Sequence, residues 1–254
     1  MMNSGIEASA VNHPAGAELA RHVHDRGQLS VLLRGTLEIS SEEGWWVAPP
    51  GLAIWVPPNV MHGARYSESS SVLNLRFGEE FTASLPVGCD CVVVTDLLRA
   101  LAFEAVRLIG SNTQTEDIEL VVRLMVLQIR QPQRGPGLFL PHGRDRRLRQ
   151  ATSLLRADPA SNVPLDELAT RVHTSARTLA RLFVNETGMP FTRWREHLRV
   201  ICAVEYLARG QSIIQTALAL GYKNTSSFTT LFTRLVGSPP RRYMDQLRQR
   251  QTDT

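Results

Sequence analysis

Apolar residues recur with different periods in different parts of the 254-residue chain. Between residues 17 and 95, short apolar runs are separated by clusters of Gly, Pro and Ser, which is typical of closely spaced β-strands. The predicted strands are Leu29–Leu33, Thr36–Ile39, Trp45–Val47, Ala53–Val56, Val72–Phe77 and Cys91–Thr95. Several short strands at this spacing predict a small β-barrel or sandwich.

The apolar period changes to that of amphipathic helices after residue 95. Leu97–Ile109 and Asp117–Ile129 carry apolar residues at helical spacing, with Asp96 and residues 115–117 as expected caps. These helices either cover the barrel or pair with a second copy of the chain, and the pattern favours neither arrangement. Residues 131–143 contain three Pro and three Gly, which predicts an irregular linker.

A pattern of apolar residues, glycine and proline repeats near the C-terminus at an offset of 49 residues. Leu179, Phe183, Gly188 and Pro190 recur as Phe228, Phe232, Gly237 and Pro239. In each copy, a shorter apolar stretch with helical spacing and a polar turn come first. Two short helices joined by a tight turn form a helix-turn-helix, so the repeat predicts two such units that read adjacent stretches of DNA.

The positive charge of the chain is concentrated in the same segment. Residues 1–143 hold 10 Arg and 15 Asp or Glu, a balance of −5, whereas residues 144–254 hold 17 Arg, one Lys and 9 acidic residues, a balance of +9. A basic surface is suited to phosphate, and the arginine guanidinium also matches the edge of guanine. Charge and repeat together favour double-stranded DNA as the partner.

Helix and turn geometry in the repeat follows from the residues themselves. Gly221 is expected to adopt a positive backbone angle at the end of a helix, and Ala217 is small where two helices cross. Phe228, Phe232 and Leu235 predict one buried stripe on the helix that follows. Phe191–Arg209 predicts one continuous helix between the units, about 25–30 Å long and close to the separation of successive major-groove faces.

The C-terminal half resembles the AraC/XylS family of bacterial transcription regulators over roughly residues 145–245. Ile213–Tyr243 carries the family's Ala before a Gly-aromatic turn, Ser-x-Phe, a second Phe, Gly-x-Pro and a final Tyr. By this resemblance, the faces opposite the buried stripes are the two recognition helices. The DNA-contacting residues would be Arg177, Ala180, Arg181, Thr225, Ser226, Thr229, Thr230 and Thr233. The sequence departs from the family at Thr230 and Met244, where relatives often carry Arg, and at His173 in the first turn.

A second pattern of glycine and histidine lies in the N-terminal half. His22, His24 and Gln28 fall between Gly16 and Gly35. Gly51 is followed by Pro57, Asn59 and His62. These two segments resemble the two cupin motifs, with Gln28 in place of the usual Glu and Asn59 in place of a Gly. A cupin is a small β-barrel, so the resemblance agrees with the predicted strands.

The cupin-like residues form the candidate ligand site. His22 and His24 are expected on one face of a strand, Gln28 keeps that parity if the strand is unbroken, and His62 is expected from a facing strand. Three imidazoles and a carboxamide oxygen can hold one divalent transition metal ion, Zn, Ni or Fe, with positions left open. The alternative is a metal-free pocket for an organic effector. Trp55 is expected to line this effector pocket.

The sequence therefore predicts an α+β protein of two domains. A cupin-like sensor barrel at residues 1–95 and a helical packing or dimerisation segment at 96–130 precede the linker, and an all-α double helix-turn-helix occupies 144–250. No signal peptide or membrane-spanning run is evident, so we expect a cytoplasmic protein without membrane association.

We expect a non-enzymatic, DNA-binding transcription regulator whose barrel senses a small-molecule effector or a metal ion. A homodimer is expected, with RNA polymerase as a further partner if the regulator is an activator. One alternative is a cupin metalloenzyme, a dioxygenase or isomerase, that carries an accessory DNA-binding module. Another is a DNA-binding protein whose barrel is purely structural.

Overall fold

The computed structural model describes residues 5–111, 115–130 and 138–252. The strands are β1 (Ile6–His13), β2 (Glu18–His22), β3 (Gly27–Arg34), β4 (Leu37–Ser40), β5 (Gly44–Ala48), β6 (Leu52–Val56), β7 (His62–Tyr66), β8 (Ser70–Phe77), β9 (Asp90–Val93) and β10 (Phe139–Pro141). The helices are α1 (Glu79–Thr82), α2 (Asp96–Gly110), α3 (Thr115–Arg130), α4 (Arg146–Ala157), α5 (Leu165–Arg171), α6 (Ala176–Thr187), α7 (Phe191–Ala208), α8 (Ile213–Ala219), α9 (Thr225–Val236) and α10 (Pro240–Thr252). No helix among these residues is both long and apolar enough to cross a membrane.

The chain divides into two compact units. The barrel unit comprises Met1–Ser41, Trp46–Gly135 and Leu247–Thr254, and the helical unit comprises Glu42–Trp45 and Pro136–Gln246. In the barrel unit, one antiparallel sheet has the order β1-β8-β3-β6-β9 and a second contains β5-β4-β7-β2. All six predicted strands are present with shifted ends. The strands β2 and β7 were expected only through their histidines, and β1 and β10 were not predicted.

Side chains alternate between the two faces of the first sheet along β3 and β8. Ser30 pairs with Asn74 in the register of these strands, and Gln28 pairs with Arg76. Gln28 Nε2 donates to Ser30 Oγ, and Ser30 Oγ donates to Asn74 Oδ1, both at 2.9 Å. A chain of polar side chains therefore lies on one face. The opposite face is apolar and contributes Leu29, Val31, Ala53, Trp55, Leu73, Leu75 and Phe77 to the core.

The helices α2 and α3 cover this apolar face. Their buried residues, which include Leu98, Ala102, Val122 and Met125, belong to the same core cluster as the sheet residues. The helix α2 begins after Thr95, whose side chain accepts a hydrogen bond from Leu98 N at 3.0 Å. The expected cap at Asp96 is therefore wrong by one residue. Packing of these helices on the barrel is confirmed, and pairing with a second copy of the chain stays a prediction.

The helical unit contains both predicted helix-turn-helix units, α5–α6 and α8–α9. Ser175 and Asn224 cap the second helix of each unit by accepting from Thr178 N and Ser227 N. Gly188 and Gly237 end these helices with left-handed backbone angles. Such caps stop a helix cleanly, because glycine reaches the left-handed region without a steric penalty.

The two helix-turn-helix turns share one backbone geometry with different residues. Thr174 N donates to Ala169 O at 2.9 Å, and Tyr222 N donates to Ala217 O at 3.0 Å, which closes the same wide turn in each unit. The residue before each donor is left-handed, with φ of 56° at His173 and 77° at Gly221. The expected positive angle at Gly221 is confirmed, and His173 occupies the corresponding position in the first unit.

Two expectations for the remainder of this unit have different outcomes. The predicted continuous helix is present as α7. The predicted linker is wrong for Phe139–Pro141, which forms β10, because Leu138 and Leu140 are buried. Pro141 O also accepts a hydrogen bond from the buried Trp194 Nε1 at 2.6 Å. Residues 131–137 of the predicted linker lie outside the described residues.

The turn at Gly221 generates a prediction about stability. A Cβ at Gly221 would lie 2.5 Å from Ala160 O, whereas a Cβ at Gly237, with φ of +84°, would meet no atom within 4 Å. Both Gly→Ala changes strain a left-handed backbone, but only Gly221→Ala adds a clash with rigid main chain. We expect Gly221→Ala to lower the free energy of unfolding by about 3 kcal/mol and Gly237→Ala by about 1 kcal/mol.

Urea denaturation of the full chain, followed by circular dichroism, measures this difference. Equal losses of stability in the two variants would contradict the close approach of the Gly221 turn to Ala160.

Candidate functional site

Three histidines of the barrel unit come together at the adjacent ends of two strands. His22 is the last residue of β2 and is the register partner of His62, the first residue of β7. The imidazole centroids of His22 and His62 are 4.4 Å apart, and His24 lies 4.9 Å from His62 and 5.9 Å from His22. Each histidine offers a ring nitrogen, and the three nitrogens lie within 4.8 Å of one another.

A backbone carbonyl orients each of these imidazoles through Nδ1. His22 Nδ1 lies 2.9 Å from Ala20 O, His24 Nδ1 lies 2.5 Å from Arg26 O, and His62 Nδ1 lies 2.9 Å from Val60 O. A carbonyl oxygen can only accept, so Nδ1 carries the proton in all three rings. Each Nε2 is thereby left with its lone pair, the form in which histidine ligates a metal.

The loop before β7 holds His24 close to His62. Asn59 N donates to the carbonyl of His24 at 2.8 Å, and Asn59 has a left-handed φ of 61°. Asn is one of the few residues besides Gly that adopts this conformation readily, which explains how it can occupy the motif position of a Gly. The carbonyls and this amide were missed by sequence reasoning, and the Asn-for-Gly replacement was the one signal of such a turn.

Burial keeps His24 and His62 uncharged at neutral pH. The pKa of His62 is lowered from 6.5 to about 4, chiefly by desolvation and to a smaller extent by the nearby His22 and His24. Desolvation also lowers the pKa of His24, with smaller contributions from Arg76 and His22. Among the described residues, His24 Nε2 is buried without a hydrogen-bond partner. His24 and His62 therefore present neutral imidazoles, and His24 Nε2 is an unpaired buried acceptor.

The structure brings the predicted histidines together but corrects how they meet. His24 lies beyond the end of β2 rather than on it, and its backbone carbonyl is held by a hydrogen bond from Asn59 N instead. Gln28 is on the next strand, β3, so the assumed unbroken strand is wrong. His62 is on the neighbouring strand of the same sheet rather than a facing one, because β2 and β7 pair directly.

Trp55 does not lie beside the histidines. It pairs in register with Leu29, whose side chain faces α2 and α3, and it belongs to the same apolar cluster. Its indole Nε1 donates to Pro86 O at 2.9 Å, and the side chain is fully buried. The expectation that Trp55 lines the effector pocket of the histidines is therefore wrong, because strand alternation directs its side chain to the sheet face that α2 and α3 cover.

In the helical unit, the predicted DNA-reading faces belong to α6 and α9. Arg177 and Arg181 are exposed on α6, with Ala180 half-buried between them. On α9, Ser226 and Thr230 are exposed, whereas the other predicted residues, Thr225, Thr229 and Thr233, are half-buried. Contacts from these residues to DNA stay predictions.

The buried stripe of α9 differs slightly from the expected one. It consists of Phe228, Leu231 and Phe232, and Leu235 is only half-buried. Thr233 Oγ1 donates to Thr229 O at 2.7 Å within the helix, so its hydroxyl proton is already used.

Family models match both parts of the chain. A model of the AraC-like ligand binding domain matches residues 5–127, and a model of a helix-turn-helix domain matches residues 168–246. The chain is 30% identical over 231 residues to the HTH-type transcriptional regulator NimR of Escherichia coli, covering 89% of this chain and 82% of NimR. It is 36% identical over 141 residues to the HTH-type transcriptional regulator RipA of Corynebacterium glutamicum, covering 55% of this chain and 39% of RipA.

One solved structure aligns along most of the chain with low similarity. Unsaturated fatty acid bound ToxT from Vibrio cholerae aligns with a TM-score of 0.40 and 14% sequence identity over 95% of each chain. Such distant similarity carries no inference about a ligand. The named relatives are transcription regulators, and they give no support to the alternative of a cupin metalloenzyme. This chain therefore belongs to the AraC family of transcription regulators, with an N-terminal AraC-like ligand-binding domain and a C-terminal helix-turn-helix domain.

Proposed function

We propose that this regulator binds one divalent transition metal ion through His22, His24 and His62, and that occupancy of the site controls DNA binding. The observation that carries the proposal is the common orientation of the three rings, each with Nδ1 held by a main-chain carbonyl. Such bonds fix the tautomer and ring orientation of metal-bound histidines. The unpaired, buried His24 Nε2 also fits a metal, because an acceptor without a partner is costly to bury.

The donor set indicates which ions the site would accept. Three imidazole nitrogens suit Zn²⁺, Ni²⁺ or Fe²⁺ and leave coordination positions open for water or an organic effector. Gln28 donates through Nε2 to Ser30, so its carbonyl oxygen is the atom left for a fourth ligand. A metal-free pocket that hydrogen-bonds an effector through the same Nε2 atoms is the alternative.

Regulation would act through the double helix-turn-helix. If the protein has two arrangements and only one binds DNA well, a ligand that binds one of them more tightly changes the affinity of the protein for DNA. The size of the change is limited by the difference between the ligand's affinities for the two arrangements. A cytoplasmic location is proposed with this function, because a transcription regulator acts where the DNA is, and a regulator that activates would also contact RNA polymerase. We propose no catalytic role for the barrel.

The metal site predicts a defined stoichiometry. Protein purified without a His-tag should bind close to one Zn²⁺ or Ni²⁺ per chain, and His62→Ala should abolish this binding because it removes one of three ligands. His197→Ala is the matched control, since His197 lies on α7 with Nδ1 bonded to its own helix at Arg193 O. Elemental analysis and calorimetric titration measure the binding.

Binding of metal should also weaken at acidic pH, because protonated imidazole cannot ligate. Because the pKa values of His24 and His62 are lowered, protons compete with the metal for these two rings only below pH 6.5.

For the mutation experiment, equal metal content in wild type and His62→Ala would disprove the site.

We expect Arg177 on the first recognition helix to read the DNA sequence, whereas Arg241 is expected to contact phosphate. Arg177→Ala should cost on the order of 1–3 kcal/mol on the preferred DNA site and much less on random DNA, because a guanidinium that pairs with a base edge discriminates sequence. Arg241→Ala, at an exposed residue of α10, should weaken binding to both DNAs alike. Fluorescence anisotropy at fixed salt measures both. If Arg177→Ala lost equal affinity on both DNAs, Arg177 would be a backbone contact.

We further propose that the chain forms a homodimer through α3. Leu120, Leu124 and Leu127 are 63%, 46% and 50% exposed and follow each other at i, i+4 and i+7, which places them on one face of the helix. An apolar stripe of this kind on a folded unit favours association with a matching stripe.

Introducing a charge into this stripe should separate the two copies. Leu124→Glu is expected to convert a dimer to a monomer in light scattering, whereas Leu218→Glu, at a more exposed leucine of α8, should not. A wild-type monomer at micromolar concentration, or a dimer that survives Leu124→Glu, would refute the proposed interface.

A further inference from the structure

One polar face of α7 contacts segments of both helix-turn-helix units. Arg199 Nε donates to Pro159 O at 3.0 Å, and its Nη2 lies within hydrogen-bond distance of Ala160 O, Ser161 O and Asn162 Oδ1 at 3.2, 3.1 and 2.9 Å. These acceptors belong to the loop that leads from α4 into the first helix-turn-helix. A single guanidinium therefore satisfies three consecutive carbonyls of an otherwise irregular segment.

The same guanidinium also contacts the turn of the second helix-turn-helix. Arg199 Cζ lies 5.4 Å from the ring centroid of Tyr222, which follows Gly221 in the turn between α8 and α9. That turn lies directly against the loop, because a Cβ at Gly221 would be 2.5 Å from Ala160 O. Arg199 is thus located where the loop before the first unit meets the turn of the second.

Two neighbouring residues on α7 reinforce this junction. Arg195 Nη1 donates to Val163 O at 3.0 Å, directly before α5. Glu196 forms an ion pair with Arg234 in the last turn of α9, with Nη2 and Oε2 2.6 Å apart. Positions 195, 196 and 199 share one side of the helix, so this side connects the beginning of the first unit to the end of the second.

The chemistry of the junction requires arginine. The planar guanidinium presents several donors in a fixed fork and stacks on aromatic rings, whereas the lysine ammonium is a single compact charge. Because Arg199 uses its donors on the loop, it is not free for phosphate in the way that an exposed arginine is. Its cost of burial is offset by these bonds and by the ring of Tyr222.

We infer that Arg199 is a positioning residue that sets the spacing between the two DNA subsites read by α6 and α9. The inference rests on the proposed reading of DNA by both recognition helices. One base pair shifts a subsite by 3.4 Å along the axis and rotates it by about 34°, since a turn contains 10–10.5 base pairs. A rigid junction therefore accepts one spacing, whereas a loosened junction accepts several.

Selection of binding sites from random DNA by the full chain, followed by affinity measurements, tests this inference. Wild-type protein should select two subsites at one dominant spacing and lose about tenfold in affinity when one base pair is inserted between them. Arg199→Ala should still recognise both subsites but lose less than about threefold on the same insertion. Arg199→Lys should behave like Arg199→Ala, because the charge is retained but the fork is lost.

Arg209→Ala is the matched control for helix and charge. Arg209 lies at the end of α7 and interacts with its own helix, pairing with Glu205 at 3.7 Å and lying over Tyr206. This variant should keep the wild-type loss on insertion, even if a phosphate contact is removed, because such a contact weakens binding at every spacing equally. Thermal unfolding of each variant verifies that it is folded, and Asn162→Ala provides a milder loosening if Arg199→Ala is unfolded.

The possible outcomes distinguish failure of the positioning role of Arg199 from failure of the proposed reading of DNA by both recognition helices. If wild-type protein selects a single subsite, the reading of DNA by both helices fails, and the role of Arg199 fails with it. If wild type selects two subsites and folded Arg199 variants lose as much affinity on insertion as wild type, only the positioning role is overturned. A Lys variant that restores the wild-type loss would likewise overturn it, because a charge alone would then suffice.

Discussion

The alternation of side chains across β3 and β8 is the constraint on which the barrel unit depends. One face of this sheet is apolar and is covered by α2 and α3, so burial of residues such as Leu29 and Leu75 anchors the helices. The other face carries the polar series Gln28, Ser30 and Asn74. Since successive residues must point in opposite directions, the apolar core and the polar side chains occupy opposite faces of one sheet.

The same constraint explains which parts of the site could be predicted from the sequence. The cupin-like spacing identified His22, His24 and His62, and the structure brings these three together. That spacing did not reveal that β2 ends at His22, although Asp25 and Gly27, which are turn-forming residues, follow His24 directly. The prediction that Trp55 lines the effector pocket was wrong for a different reason. Its register with Leu29 is a non-local property, set by how β6 pairs with β3.

The helical unit was more predictable, because helix signals are local. Caps, glycines and the apolar repeat lie within a few residues of the features that they specify, as at Asn224 and Gly237. Arg199 illustrates the limit of that reasoning. Its acceptors lie 37–40 residues away in the chain, so the sequence offers only a basic residue on a helix, which favours a phosphate contact. The inferred role depends on how three helices and a loop meet.

The central proposal is that ligation of a metal ion by the three histidines is coupled to DNA binding. The most direct test is the dissociation constant of the full chain for its selected DNA site, measured at fixed salt with metal-free and metal-loaded protein. The account predicts that metal changes this constant by about 5-fold to 150-fold in wild type and leaves it unchanged in His62→Ala. A wild-type protein that binds one metal ion per chain with no change in its affinity for DNA would contradict the account.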